Sequence, residues 1–325
     1  MLFRSNTVLQ TLRNKIQVKI LEKWDDLADQ YGIQAITIKD NLYPSKLYNI
    51  DDAPGILFYQ GSLEALSLPA VAIVGSRRAS IKGISATKKI SSELSRNQIS
   101  VISGLAYGID AAAHQGCILG GTPTIAVMGC GLDQDYPVEN AGLKKDILRQ
   151  KGLILSEYAP GEKPLGWHFP YRNRIISGLG DCLALMEAKI RSGSMTTVQH
   201  ALNQGKDVFV YPGEPENTRF EGNHQLLREG AIYFTTACDL MEDMGWLDKQ
   251  HVVGQNIDHD IKTCFQGSAE ERRILDQLDK GEQSFDQLCV NLDIPASRLS
   301  ASLSLLQIQG HIRALPGKLY QRNQD

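Results

Sequence analysis

Short apolar runs, each closed by a glycine or a polar residue, recur along the middle of the chain. The first is Val71-Ala72-Ile73-Val74, ended by Gly75 and turned by Ser76-Arg77-Arg78. An unbroken run of this length predicts a strand buried on both faces, the kind found inside a parallel sheet. The unit returns at Ile99–Ile102 before Ser103-Gly104, at Thr124–Met128 before Gly129, and at Gly152–Leu155 before Ser156-Glu157. It returns again at Cys182–Met186 before Glu187, at Asp207–Tyr211 before Pro212, and at Ala231–Phe234 before Thr235. Helical stretches lie between most of these, among them Ala86–Arg96 with Ser80 as an upstream N-cap, Ala106–Leu119, Thr196–Gln204 and Gln225–Glu229. Alternating strand and helix predicts a parallel α/β sheet with helices on both faces, its polar strand ends gathered on one ligand-binding edge.

The flanks read differently. Leu9, Leu12, Ile16, Ile20 and Leu27 recur near helical spacing, with Gly32 as the stop, so residues 1–43 are expected to form a helical segment. Tyr43–Gly61, with strand-like Ile56–Tyr59, reads as an edge element leading into the sheet domain of residues 44–246. Residues 247–267 are polar and irregular, the composition of a linker. In 268–325, Glu270–Leu278, Phe285–Leu292 and Pro295–Gln309 read as three helices. Ile312–Leu315 and Leu319-Tyr320 around Pro316-Gly317 read as a hairpin. Three helices and a hairpin predict a winged helix.

Composition narrows the class. The chain has 325 residues, 42% hydrophobic and 22% charged, and a net charge of −3. Those are the proportions of a globular protein, and any nucleic-acid site must be a local basic patch. No apolar run approaches the roughly 18 residues of a membrane span, and MLFRSNTVLQ lacks a signal-peptide core, so a cytoplasmic protein with no membrane partner is expected. The six cysteines are scattered without a CxxC pair and read as reduced, buried hydrophobes.

Familiar chemistries fit the sheet edge badly. Val74–Ser80 is not GxGxxG, and no GxxxxGK[ST], GxSxG or HExxH occurs, so no cofactor is expected. His114 and His200 lie on helical stretches as packed or capping residues, and no metal site is expected. The turn carrying Arg77 and Arg78 suits a phosphate, or the arginines pair with surface carboxylates. His168–Arg174, just ahead of a helix Ile175–Leu179, combines Phe169 and Tyr171 with Arg172 and Arg174. Aromatic plus arginine holds single strands; the alternative has the rings in the core and Arg174 in a structural ion pair. Ser192-Gly193-Ser194, after Arg191, opens a helix and either cradles a phosphate or caps it. Pro212–Asn223 reads as a loop at the rim. Glu157 and Glu187 stand at strand ends as candidate carboxylates but are read as bonding backbone and loops.

These segments together resemble one family. VAIVGSRRAS, ISGLAYGIDAAAH, MGCGLDQDYP, LILSEY, FPYRNRIISGL, EAKIRSGSMTT, VFVYPG and EGNHQLLREGA are similar in order and spacing to the DNA-processing protein A (DprA/Smf) family. The C-terminal region resembles its small winged-helix domain. The resemblance implies an extended Rossmann-like domain and a non-catalytic homodimer that binds and protects single-stranded DNA. It implies RecA recombinase as the partner loaded in natural transformation. It maps DNA binding to Gly75, Ser76, Arg77 and Arg78, to Phe169, Arg172, Asn173 and Arg174, and to Ser192, Gly193 and Ser194. Where many relatives carry a lysine three residues before the phenylalanine, this chain has Gly166, leaving Lys163 as the nearest lysine. A helix-hairpin-helix domain found in many relatives is expected to be truncated or absent. The recognition helix carries only Arg298, and the wing only Arg313 and Lys318, a set thin for major-groove reading, so protein contact or dimer regulation stands level with duplex binding for this domain. Two rival readings are a nucleotide hydrolase using Glu157 or Glu187 and a winged-helix regulator whose α/β domain senses a ligand.

Overall fold

The structure, a computed structural model, describes residues 18–247, 269–278, 281–292, 294–308, 311–315 and 319–322. The chain divides into two compact units, residues 1–252 and 253–325. In chain order the first holds α1 (Val18–Tyr31), β1 (Gln34–Thr37), β2 (Ile56–Gly61), β3 (Ala70–Val74), α2 (Ile81–Arg96), β4 (Ser100–Ser103), α3 (Ile109–Gly120) and β5 (Ile125–Met128). It continues with α4 (Ala141–Arg149), β6 (Leu153–Ser156), α5 (His168–Leu179), β7 (Cys182–Leu185), α6 (Gly193–Asn203), β8 (Val208–Val210), α7 (Glu221–Arg228), β9 (Ile232–Tyr233) and α8 (Ala237–Asp243).

The nine strands form one sheet in the order β1-β2-β6-β5-β4-β3-β7-β8-β9. From β6 to β9 every pairing is parallel, whereas β2 runs antiparallel to both β6 and β1. The sheet is therefore mixed at one end, and the expected edge strand Ile56–Tyr59 lies one strand in from the edge, covered by β1. That strand, QAIT, is too short for its alternation to register beside the helical pattern before it. Of that pattern, Ile20 and Leu27 fall in α1 and Gly32 follows it at φ 63°, while Leu9, Leu12 and Ile16 lie outside the described residues.

Strand alternation sorts the core into two sides. Ala70, Ala72 and Val74 of β3 face a cluster with Ile175, Ile176 and Leu179 of α5 and Val198 and Ala201 of α6. Val71 and Ile73 face Ile90 and Leu94 of α2, Ile109, Ala113 and Cys117 of α3, and Leu240 of α8. Further along that side, Ala126 and Met128 of β5 meet Leu143 and Ile147 of α4. Cys117, Cys130 and Cys182 are buried as expected, burial holding the Cys130 thiol up at about 11. Cys238 and Cys289 are only half-buried, because each sits on a helix near its solvent side, and Cys264 lies outside the described residues. Among the described residues no helix is long and apolar enough to cross a membrane.

The second unit holds α9 (Ala269–Leu278), β10 (Gln283–Ser284), α10 (Phe285–Leu292), α11 (Ala296–Ile308), β11 (Ile312–Leu315) and β12 (Leu319–Arg322). Leu275 and Leu278 of α9, Leu288 and Leu292 of α10, and Leu299, Leu303 and Leu306 of α11 form its core. The wing pairs β11 with β12 and adds the unforeseen two-residue β10. Arg313 bonds Gln321 across the wing. Lys318 and, apart from Leu247, the expected linker lie outside the described residues.

Helices α2 and α3 touch at their backbones. A Cβ on Gly116 would stand 2.5 Å from the Lys88 carbonyl oxygen and 2.7 Å from the Ser91 Cβ. Gly116→Val is therefore expected to destabilise the first unit by about 3 kcal/mol through overpacking. Urea denaturation checks this, and a change under about 0.5 kcal/mol, the scale of a neutral surface substitution, contradicts it.

Candidate nucleic-acid interface

Strand order reverses between β3 and β7: the chain winds outward from β3 through β4 and β5, and from β7 through β8 and β9 in the other direction. The connections leaving β3 and β7 diverge there, and a crevice opens outside their carboxyl ends. It is a cleft of about 1010 Å³, lined on one wall by Gly75, Ser76, Arg77 and Arg78 and on the other by Lys189, Arg191, Ser192, Gly193 and Ser194. Phe169, Arg172 and Asn173 also line it, as do Asp110, Tyr136 and Arg219.

Glu187 holds the two walls together. Its backbone oxygen accepts from the Ser76 amide at 2.7 Å. Its carboxylate, fully buried, accepts from the Ser80 amide at 2.9 Å and the Ser80 hydroxyl at 2.6 Å. The same hydroxyl accepts from the Gly83 amide, so the expected Ser80 cap is also the clamp. A Cβ on Gly83 would stand 2.5 Å from the Glu187 carboxylate, which is why that turn carries no side chain. On the far side, buried Asn223 donates to the carbonyls of Met186 and Tyr211 and accepts from the Ala188 amide, at 2.8–3.2 Å. Asn223 lies in α7 and not in a loop: helix begins at Glu221, earlier than the hydrophobic pattern alone indicated.

Helix α5 likewise starts seven residues before the expected Ile175, at His168. Pro170 sits in its first turn, where a missing N–H breaks no helical bond. Helical spacing then decides which side chains meet the cleft. Phe169, Arg172, Asn173 and Ile176, at i, i+3, i+4 and i+7, all line it. Arg174 lies two residues past Arg172, about 200° around the helix. It does not line the cleft. It is buried, donates twice to the Glu157 carboxylate at 2.7 and 2.9 Å and once to the Asp52 carbonyl, and lies 3.9 Å over the Tyr171 ring. Arg174, expected among the DNA contacts, thus sits in an ion pair with Glu157 and outside the cleft lining. Lys163 is exposed and does not line the cleft either, although its neighbour Pro164 does.

The cleft is strongly cationic for a chain of net charge −3. Arg77, Arg78, Arg172, Lys189, Arg191 and Arg219 line it, against one acid, Asp110. Arg172 is buried and donates to the Gly104 carbonyl at 3.1 Å and to the Val127 carbonyl and Asn173. Burial lowers its pKa to about 10, so it stays charged at neutral pH. The Arg77 guanidinium stands 5.3 Å from the centre of the Phe169 ring and that of Arg172 6.0 Å, and the Tyr136 ring lies 5.2 Å away. A Cβ on Gly129 would meet the Phe169 ring at 2.9 Å, so glycine there is what lets the ring sit flat on the sheet edge. Asn173 donates to Gly193 and Thr196, fixing α5 against the start of α6, and Ser192 makes no side-chain cap bond there.

Lys189, Arg219, Asp110 and Tyr136 were not singled out from sequence. Lys189 sits two positions before Arg191 in the same motif, and Arg219 within the loop read as a rim; its guanidinium donates to the Arg78 carbonyl and lies 3.9 Å from Glu187. Glu157 and Glu187 are both engaged as structural acceptors, as the blander reading of them held. His114 is buried against the Thr124 hydroxyl, and among the described residues no cluster of three or more His, Cys, Asp or Glu could hold a metal.

A family model described as DNA recombination-mediator protein A matches residues 34–245, and one described as DprA winged helix domain matches residues 265–318. The DNA processing protein DprA of Streptococcus pneumoniae is 45% identical over 209 residues, 64% of this chain and 73% of that protein. Protein Smf of Synechocystis is 33% identical over 325 residues, 90% of this chain and 81% of that protein. The X-ray structure of DprA from Streptococcus pneumoniae aligns with TM-score 0.66 at 41% identity, over 74% of this chain and 82% of that one. DNA processing protein A from Helicobacter pylori, whose structure is described in terms of its single-stranded DNA binding mode, aligns with TM-score 0.59 at 29% identity, over 66% and 97%.

Removing the Arg174 side chain strands a partly buried carboxylate at Glu157. Arg174→Ala is expected to cost about 2–4 kcal/mol in urea denaturation, with Arg174→Ala/Glu157→Gln recovering part of the loss. A single-variant loss below about 0.5 kcal/mol, the worth of an exposed pair, contradicts the structural role.

Proposed function

We propose that this chain, which belongs to the DNA recombination-mediator protein A family, binds single-stranded DNA in the cleft at the β3/β7 switch point and acts on it without catalysis. The carrying observation is a cleft lined by six cations, two of which, Arg77 and Arg172, stand over the Phe169 ring. Arginines and the amides of the turns after β3 and at the start of α6 suit phosphodiesters. Stacking on Phe169 and Tyr136 needs a base free of its duplex, which favours single strands and tolerates any sequence. Gly75, Ser76, Arg77 and Arg78 would hold one phosphate, and Ser192, Gly193 and Ser194 the next. Arg172 and Asn173 would fix Phe169 between them. Arg174 and Lys163 act only indirectly, through the fold and through the local charge.

In the wider assignment the protein is a cytoplasmic homodimer that protects incoming single strands and loads RecA recombinase onto them in natural transformation. The family resemblance supports this, and the two carboxylates a hydrolase would use, Glu157 and Glu187, are both committed to structural bonds.

Arg77 faces the cleft without the buried bonds of Arg172, so Arg77→Ala separates binding from folding. It is expected to weaken single-strand affinity about tenfold for all sequences and to lower the salt slope by about one. Fluorescence polarisation across a salt series checks this. An unchanged affinity and slope would contradict the site.

A further inference from the structure

Asp110 is out of place in a site built for anions. It is the one acidic residue lining the cleft among the described residues, and it is 8% exposed. It lies in the first turn of α3, where its carboxylate accepts from the Ala106 amide at 3.4 Å. A Cβ built on Gly104 would meet the Asp110 carboxylate at 2.8 Å and the Arg172 guanidinium at 2.7 Å, so the two charges crowd one glycine. Yet the hydrogen bonds that position Arg172 go to Gly104, Val127 and Asn173. Asp110 therefore acts on Arg172 through charge and not as a hydrogen-bond partner, so its carboxylate is left able to oppose any other anion that reaches the same guanidinium.

We infer that Asp110 is a specificity-determining residue that competes with the phosphodiester for the cleft arginines, so that a bound strand is held loosely enough to be passed on. This rests on the single-strand reading above. With the cleft empty, the Asp110 carboxylate offsets part of the field of Arg172 and Arg77. With a phosphodiester bound, two anions face the same guanidinium groups, and the repulsion is relieved by strand departure or by a proton on Asp110. Burial already raises the Asp110 pKa above the ordinary range, Arg172 and Arg77 pulling the other way. The remaining neighbours do not titrate with it. Arg172 stays charged, the Ser103 hydroxyl is neutral, and burial keeps His114, one turn along α3, uncharged with a pKa of about 3. Lowering the pH therefore removes a negative charge from the cleft and tightens binding.

The test compares the full-length protein with Asp110→Asn on a labelled oligothymidine, by polarisation and by stopped-flow dissociation, from about pH 8 to about pH 6. The variant is expected to bind on the order of three- to tenfold more tightly near pH 8, mostly through slower dissociation, and to lose the wild-type gain in affinity on acidification. A variant that binds equally or more weakly, or keeps the wild-type pH profile, overturns the inference while leaving the single-strand reading intact. Failure of the wild-type protein to bind overturns both. Should the variant not fold, calorimetry of the wild-type protein in buffers of different ionisation enthalpy decides. Proton uptake on binding is expected to grow as the pH falls, and none overturns it.

Discussion

The buried carboxylate of Glu187 fastens the two halves of the sheet edge to each other, and the rest of the cleft depends on that clamp. A parallel sheet that changes winding direction leaves its two central connections diverging, with nothing in the sheet ladder to set their separation. Here the end of β7 sets it. The Glu187 backbone takes the Ser76 amide, and its carboxylate takes Ser80, so the arginine turn and the start of α2 are fixed relative to the loop that carries Lys189 and Arg191. The glycines on this route are glycines for want of space. At Gly83 a side chain would strike Glu187, and at Gly75 it would strike Ile109 of α3 at 2.6 Å.

Charge follows the same logic of confinement. Six basic groups converge in a protein whose overall balance is slightly acidic. The field that matters for an anionic polymer is local, so net charge is a poor guide to such a site and cleft composition a better one. Within that field the arginines divide by burial. Arg172 is committed to carbonyl oxygens and defines the cleft floor, Arg77 and Arg78 remain exposed at the mouth, and Arg174 has left the site for Glu157. Asp110 stands among them as an opposite charge to Arg172 and Arg77.

Much of this was legible in the sequence. The strands of the parallel run were marked by apolar blocks with polar stops, because all but the edge strand β9 are buried on both faces. The turn at Gly75–Arg78 and the Ser192–Ser194 turn, both expected at the carboxyl edge of the sheet, line the cleft there. What was lost was lost for physical reasons. The start of α5 is polar and aromatic, with a proline in its first turn, so hydrophobic periodicity could not see it. With that helix hidden, Arg172 and Arg174 looked equivalent although the helical pitch points them apart. Lys189 and Arg219 come from loops, whose side chains acquire a common target only once the sheet brings them together. Two-stranded β1–β2 pairing was hidden because four residues of alternation are too few to outweigh a neighbouring helical pattern.

The central claim is that a cleft of cations and aromatic rings at the switch point takes a single strand through its phosphates and bases. The most direct measurement is polarisation of one labelled oligonucleotide, free and annealed to its complement, against the full-length protein over a salt series. The expected result is tighter binding of the single strand for every sequence tried, falling steeply with salt. Equal or tighter binding of the duplex, or an affinity insensitive to salt, would contradict it.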